Sequence, residues 1–168
     1  VNSVDAVMVN QVLHHLADDA AAGWPAHRDV LAEIARVLKP HGAIIINSCS
    51  HSQLDQGFWF YHLIPEAVTL VKQKVIDLDA LDALLRKSGF ESTQRESPLD
   101  LVLQGSAYFD ALGVLDPNWR SGDSIWKLVT VEKLHRVLKQ VGNFADHGEL
   151  DALMRQHDEP RSRIGQFT

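Results

Sequence analysis

The sequence lacks the features that mark several large classes of protein. Its single cysteine, Cys49, excludes an internal disulfide and fits a reducing compartment. Its apolar runs are far too short to span a bilayer, and it has no signal-peptide pattern. The 16 basic residues are scattered among 22 acidic ones, which argues against a surface for nucleic acid. We therefore expect a cytoplasmic protein that binds neither nucleic acid nor membrane.

Both ends of the sequence also lack what a complete domain would have. The chain begins with VNSVDAV, without a methionine and almost on an apolar run. It ends with RIGQFT, which has the character of a strand beginning. Its 168 residues suffice for one domain that buries about 70% of its unfolded surface. We expect a fragment, in which part of the parent domain is missing.

What the sequence does contain is a strand–helix–strand pattern. Residues 4–10 and 43–48 are apolar runs, typical of strands that are covered on both faces in a parallel sheet. Between them, residues 27–42 place apolar side chains at helical spacing, and Pro40 and Gly42 should end that helix. This order predicts a right-handed βαβ unit in an α/β fold.

The remainder of the chain is predicted to be mainly helical. Residues 50–74 suggest irregular chain followed by a helix, and residues 78–90 a helix that Gly89 caps. Residues 90–97 alternate as an edge strand would. The long segment 98–163 carries further helical stripes.

These elements predict one partial domain over the whole chain, with 1–97 and 164–168 as the sheet core and 98–163 as a helical lid insertion. Ligands of open parallel sheets bind beyond the carboxyl ends of the strands. Segments 10–15, 50–76 and 98–163 all leave the sheet at that end, so they should form a lidded pocket.

Histidine and cysteine residues raise two alternative kinds of chemistry. His14 and His15 are adjacent, and neighbours on a helix diverge by about 100°, so they do not easily share a metal ion. The sequence has no H-x-x-x-H or C-x-x-C pattern, and we predict no metal site. Cys49, with His51 two residues on, could serve a hydrolase as nucleophile, but a lone buried cysteine also packs as an inert side chain.

Aromatic residues are concentrated in two short stretches, GFWFYH and NWRSGDSIW. They could line an apolar substrate pocket, or they could form a core beneath a helical cap. Arg120 could face that pocket or pair with Asp123. The candidate substrate-binding residues in these stretches are Phe58, Trp59, Tyr61, Arg120 and Trp126.

Taken together, three stretches resemble the second half of a class I S-adenosylmethionine-dependent methyltransferase: VDAVMVNQVLHHL, VLAEIARVLKPHGAIIIN and LDALLRKSGFESTQRE. The resemblance covers residues 4–50 and 78–96, and the combination of LHHL with LKPHG is its most specific part. It implies a partial doubly wound, Rossmann-like sheet whose N-terminal strands are missing. Asp5 matches the acidic residue near the start of the family's fourth strand.

The resemblance also assigns roles to the residues that follow the first strand. Asn10 and Gln11 match positions beside the methionine part of S-adenosylmethionine, so they are the candidate cofactor-binding residues. His14 matches a position that faces the substrate or the cofactor, and it is the candidate catalytic base. His15 either contacts the substrate or packs against the following helix.

The function that the resemblance implies is methylation of a small molecule by the parent enzyme, with S-adenosylmethionine as cofactor. The sequence has no G-x-G loop to anchor the nucleoside, so we expect this chain alone to bind the cofactor weakly or not at all and to be inactive. One alternative is a non-catalytic remnant or binding module that cannot hold the cofactor. Another is a cysteine- or histidine-based hydrolase.

Two structural expectations complete the prediction. In the family, the final strand inserts antiparallel between its two predecessors, so 164–168 should lie between 43–48 and 90–97. If the first three strands of the family's sheet are absent, strand 4–10 should be an exposed apolar edge that recruits a second copy of the chain, which predicts a homo-oligomer.

Overall fold

A computed structural model describes residues 1–16 and 18–168, which divide into two compact units. Unit 1 comprises Val1–His51, Lys72–Glu96 and Phe167–Thr168. Unit 2 comprises Ser52–Val71 and Ser97–Gln166. Across the described ranges, no helix combines the length and the apolar character needed to cross a membrane.

Unit 1 contains the predicted βαβ unit. Strand β1 spans Val4–Asn10, helix α1 spans Pro25–Val37, and strand β2 spans Leu38–Asn47. The two strands pair in parallel, and Asn10 lies opposite Asn47 at their carboxyl ends. Pro25 begins α1 because the first helical position needs no N–H donor. The prediction of a parallel strand–helix–strand unit is confirmed.

The junction between α1 and β2 differs from the prediction. Pro40 and Gly42 do not follow a longer helix; they lie inside β2, where the register shifts between Val4 and Ala6. The bulge requires glycine, because a Cβ on Gly42 would lie 2.9 Å from the carbonyl oxygen of Lys39. The LKPHG stretch therefore shapes a bulged strand rather than a helix end.

Helices cover one face of this sheet. Leu31 and Ile34 of α1 form a buried cluster with Val9 of β1 and with apolar residues of helix α4, which spans Leu78–Lys87. Burial of each large side chain contributes roughly 1.5–3 kcal/mol. Gly89, with φ of 97°, follows α4 as predicted, and the backbone N–H of Phe90 bonds back to Leu85.

The opposite face of the sheet is open among the described residues. Met8 is 68% exposed and its register partner Ile45 is 53% exposed. The sequence predicted strands covered on both faces, but the packed cluster lies only on the Val7 and Val9 side. The apolar character of the strands indicates two covered faces, whereas this chain supplies helices to one of them.

Two predicted strands are wrong within the described residues. Segment 90–97 forms no ladder, and Arg95 instead bonds Asp79 and Asp82 of α4. Only Phe90 in that segment is apolar, so little side-chain burial stabilises a strand.

Segment 164–168 is likewise no strand: helix α8 ends at Ile164, and irregular chain follows. Its last residue nevertheless shows one element of the predicted pairing. Thr168 exchanges two backbone hydrogen bonds with Ser48, at 2.8 and 3.0 Å, and such an exchange is typical of an antiparallel pair. A single pair does not make a strand, so the predicted position between two strands is not reached.

Unit 2 is built from short helical elements, as the sequence predicted for 98–163. The α-helices that contribute to it are α2 (His51–Gln56), α3 (Pro65–Lys72), α5 (Pro117–Ser121), α6 (Val131–Asp146), α7 (Leu150–Asp158) and α8 (Arg161–Ile164). Short 3-10 helices lie at Trp59–Leu63, Gly105–Phe109, Ala111–Leu115 and Ser124–Leu128. Side-chain caps start α5 at Asp116 and α6 at Thr130.

Candidate functional site

The carboxyl ends of β1 and β2 carry a cluster of amide side chains. Gln11 follows β1 and has a φ of 50°, which lies in the left-handed region that residues other than glycine rarely adopt. Its backbone N–H donates to the carbonyl of Asn47 at 2.9 Å, and its Nε2 donates to Oδ1 of Asn47 at 2.6 Å. Backbone strain of this kind is concentrated at functional sites.

The side chain of Gln11 bonds two side chains at the end of β2 and just after it. While Nε2 binds Asn47, Oε1 accepts a hydrogen bond from the thiol of Cys49 at 3.7 Å. Both ends of the amide are therefore engaged within the chain. Gln11 fixes the two strand ends relative to each other, and the sequence had singled it out without identifying Asn47 as its partner.

Asn10 and the histidines leave polar groups nearby. Asn10 is exposed. His14 and His15 lie in the 3-10 helix Leu13–His15, whose buried member is Leu13. The two imidazole rings are 4.1 Å apart between centroids and tilted by 44°. The two rings therefore contact each other.

The electrostatic surroundings of His14 favour its neutral form. Burial lowers the pKa of His14 below the ordinary value of 6.5, and the neighbouring His15 and Lys74 lower it further. At neutral pH the imidazole is therefore free of a proton on one nitrogen. A neutral imidazole can accept a proton from a reacting group.

A buried pair of residues that the sequence analysis missed holds the next part of the chain. Oδ2 of Asp18 accepts hydrogen bonds from the backbone N–H of His27 and lies 3.0 Å from its Nδ1. Both side chains are fully buried. The pair ties the segment after His14 to the first turn of α1, and its sequence signal is only an acidic residue ahead of a helix start.

The residues considered for hydrolase and metal chemistry have other contacts. The thiol of Cys49 donates to Gln11, and Nε2 of His51 lies 2.8 Å from the carbonyl of Val75. In the ranges that the structure covers, no group of three His, Cys, Asp or Glu side chains could hold a metal ion.

The aromatic stretches meet inside unit 2. Phe60 lies 5.0 Å from Trp119 and 6.1 Å from Trp126 between ring centroids, so the predicted approach of these tryptophans to GFWFYH is confirmed. Phe58 stacks on Tyr61 at 4.4 Å. All of the candidate aromatic residues are buried: Phe58, Trp59, Tyr61 and Trp126. Their packing is that of a core, and the predicted contact with a substrate stays a prediction.

Tyr108 anchors this core through hydrogen bonds. Its hydroxyl donates to Oδ1 of Asp158 at 2.6 Å and accepts from the backbone N–H of Trp59 at 3.1 Å. Nε1 of Trp59 in turn donates to the carbonyl of Tyr108 at 2.9 Å. Burial raises the pKa of Tyr108 far above its ordinary value, and the hydrogen bond to Asp158 adds to the rise.

Arg120 and Asp123 bind different partners. Nη1 of Arg120 donates to the carbonyl of Val114, while Oδ2 of Asp123 accepts from the Tyr61 hydroxyl at 3.0 Å. Burial raises the pKa of Asp123, although hydrogen bonds from Ile125 and Tyr61 offset part of the rise.

Comparison with known proteins adds two findings. Residues 1–46 match the family model described as "Methyltransferase domain". The fold matches the crystal structure of a protein from Anabaena variabilis ATCC 29413, described as a methyltransferase from an antibiotic biosynthesis pathway, with a TM-score of 0.68 and 20% identity. That match covers 95% of this chain and 61% of the other protein. No curated protein matches the chain.

The family match falls on the elements around the candidate site. The matched family region contains β1, the Leu13–His15 turn, α1 and most of β2, and it includes Asn10, Gln11 and both histidines, whereas Asn47 directly follows it. The predicted resemblance to a methyltransferase domain is confirmed for residues 1–46. The chain spans about three fifths of the length of the structurally similar protein, at 61%.

Proposed function

We propose that this chain is part of an S-adenosylmethionine-dependent enzyme that methylates a small molecule. The observation that carries the proposal is the amide cluster at the carboxyl ends of β1 and β2, of which Asn10 and Gln11 lie inside the region that matches the methyltransferase domain and Asn47 directly follows it. A parallel α/β sheet binds its ligand at that end. We further propose a Rossmann-like parent sheet in which 98–163 serves as the lid.

The residues at the strand ends suit the methionine part of the cofactor. The exposed amide of Asn10 can donate to a carboxylate, whereas the amide of Gln11 is already engaged with Asn47 and Cys49. Asn10 would therefore hold the cofactor directly, and Gln11 would keep the turn in its left-handed conformation. When bound, the cofactor supplies a methyl group attached to a sulfonium sulfur, and that sulfur leaves as a neutral thioether.

The chain's own contribution to rate would be alignment and proton removal. Holding two reactants in line can supply up to roughly 7–11 kcal/mol of the barrier. His14 would act as general base for an acceptor that must lose a proton, because its lowered pKa keeps it neutral near pH 7. His15 would hold the His14 ring in place.

The small-molecule acceptor is supported by composition and by the aromatic core. The net charge of −6 makes a polyanionic nucleic acid a poor substrate. The candidate acceptor contacts are Phe58, Trp59, Tyr61, Arg120 and Trp126. Since their rings are buried, the acceptor would have to contact them after a rearrangement of unit 2.

The experiment is methyl transfer from radiolabelled S-adenosylmethionine by the gene product that carries this chain, with a mixture of small phenols and amines as acceptors. We expect label in a small molecule, and a loss of turnover of about a hundred-fold or more in His14→Ala. His135→Ala, an exposed histidine in α6, is the matched control and should keep full turnover. Unchanged turnover in His14→Ala would remove the general base, and label only in protein or nucleic acid would contradict the small-molecule acceptor.

A further inference from the structure

Unit 2 exposes an unusual run of apolar side chains between residues 99 and 115. Each of the six is between 38% and 57% exposed: Leu99, Leu101, Leu103, Phe109, Leu112 and Leu115. We refer to these six as the leucine-rich face. Single exposed apolar residues are ordinary, but a group of this size marks a site of interaction.

The second half of the face follows from 3-10 geometry. Backbone N–H groups of Asp110, Gly113 and Asp116 each bond the carbonyl three residues earlier, at 3.2, 3.0 and 2.8 Å. In consecutive 3-10 turns, residues three apart share a side. Leu112 and Leu115 belong to the same 3-10 helix and therefore share a side, and Phe109 precedes them across the extended residue Asp110.

The same spacing gives the segment an opposite, buried side. Tyr108, Ala111 and Val114 recur with the same period and are at most 4% exposed. The segment thus already has a complete inward stripe. The exposed leucines are a second apolar stripe that the fold of unit 2 does not require.

Arg161 joins the two halves of the face. Its guanidinium lies 5.5 Å from the centre of the Phe109 ring and 3.5 Å from the carbonyl of Leu99. The positive charge is matched by Asp158, whose Oδ1 is 2.7 Å from Nε of Arg161. The basic group inside the face is therefore neutralised.

Acidic residues are interspersed with the apolar ones. Asp100, Asp110 and Asp116 are all exposed and alternate along the chain with the leucines. An anionic lipid surface would be repelled by this arrangement, and a second copy of the face would bring like charges together. A partner that carries positive charge beside apolar residues would match both features.

We propose that the leucine-rich face docks a partner protein through an amphipathic segment whose apolar residues are flanked by lysine or arginine. The apolar side chains provide the contact, and the three aspartates select the charge of the partner. None of the six residues belongs to the strand-end cluster or to the candidate acceptor contacts, so the proposal does not depend on the residues assigned to methyl transfer.

The test uses the intact chain and a synthetic helical peptide of leucine and lysine, with leucines at i, i+3, i+4 and i+7. A leucine–glutamate peptide of the same pattern is the charge control. We expect saturable binding of the lysine peptide, and affinity at least about ten-fold weaker for the glutamate peptide. Binding of the lysine peptide should weaken with added salt.

Variants locate the binding surface. Leu112→Ser with Leu115→Ser should weaken binding by about ten-fold, and Asp100→Lys with Asp110→Lys by about five-fold. Leu70→Ser in α3, 43% exposed and outside the face, is the matched control and should bind as the wild type does. Circular dichroism checks that each variant is folded.

Four results would overturn the proposal. Equal binding of both peptides would contradict the selection of a positively charged partner. Binding unaffected by Leu112→Ser with Leu115→Ser would contradict the leucine-rich face as the binding surface. A dimer in sedimentation that the leucine variant dissociates would make a second copy the occupant. Co-sedimentation with phosphatidylglycerol vesicles would make it a membrane surface.

Discussion

Gln11 and Asn47 clamp the ends of the two strands together. The backbone N–H of Gln11 and its side-chain Nε2 both donate to Asn47, to the backbone carbonyl and to Oδ1 respectively. The φ of 50° at Gln11 lies in the left-handed region, which costs a residue other than glycine roughly 1–2 kcal/mol. The two hydrogen bonds to Asn47 therefore stabilise a backbone conformation that Gln11 would otherwise avoid. The clamp fixes where Asn10 and the Leu13–His15 turn begin.

Removing the Asn47 side-chain oxygen that accepts from Gln11 should destabilise the folded protein. Asn47→Leu leaves the half-buried amide of Gln11 without its oxygen partner, and we expect unfolding free energy to fall by about 1–3 kcal/mol. Urea denaturation measures the change. Asn143→Leu, an exposed asparagine in α6, should stay within about 0.5 kcal/mol of the wild type. Equal effects in both variants would show that the clamp contributes nothing.

A glycine pair tests the aromatic core of unit 2. A Cβ on Gly113 would overlap Cδ1 of Trp119, so Gly113→Ala should displace that ring and destabilise the protein by about 1–3 kcal/mol. Near-ultraviolet circular dichroism should report the moved tryptophan. Gly142→Ala, inside α6 with no atom within 4 Å, should instead stabilise by about 0.5–1 kcal/mol. The same sign for both changes would contradict the packing.

The buried Asp123 should give a specific pH dependence of stability. Burial raises its pKa in the folded state, so the folded chain binds more protons than the unfolded chain just above pH 3.8. Stability relative to Asp123→Asn should therefore increase as pH falls through that window and decrease as pH rises. Denaturation at a series of pH values measures the difference. Asp146→Asn, at an exposed site, is the control, and a flat difference for Asp123 would contradict its burial.

The neighbours of His14 should be visible in its titration. Replacing His15 by Asn removes one of the groups that lower the pKa of His14, so that pKa should rise. It should remain below 6.5, because burial is the largest cause. Nuclear magnetic resonance of the imidazole gives the midpoint, and His41→Asn serves as the control on the distant, exposed part of β2. An unchanged midpoint in His15→Asn would mean that the two rings do not interact.

The sequence predicted what depends on local periodicity. The apolar runs located β1 and β2, and the stripe of Leu31 and Ile34 located α1, because burial on one face repeats at a fixed spacing. It failed at Pro40 and Gly42, where proline and glycine can end a helix or shape a bulge with the same residues. The pairing with β1, which is distant in sequence, determines that these residues form a bulge and not a helix end.

In the candidate site, too, the sequence identified a residue with a local signal but not its long-range contacts. Gln11 stood out because an amide follows an apolar strand, but its bonds to Asn47 and Cys49 span more than 35 residues of chain, at separations of 36 and 38. Such contacts arise from the pairing of strands and leave no local pattern. Segment 90–97 alternates enough to resemble a strand, yet strands need a partner ladder that alternation does not supply. The predicted homo-oligomer through β1 stays a prediction, with Met8 exposed on that strand.

The most direct test of the central claim is a titration of the isotopically labelled chain with S-adenosylmethionine, followed by nuclear magnetic resonance of its backbone amides. We predict weak binding, in the millimolar range, with shifts at residues 10–14 and loss of those shifts in Asn10→Ala. The affinity is low because the sequence offers no G-x-G loop for the nucleoside. Micromolar saturation would contradict the missing nucleoside anchor, and the absence of any shift at residues 10–14 would contradict the cofactor site at the strand ends.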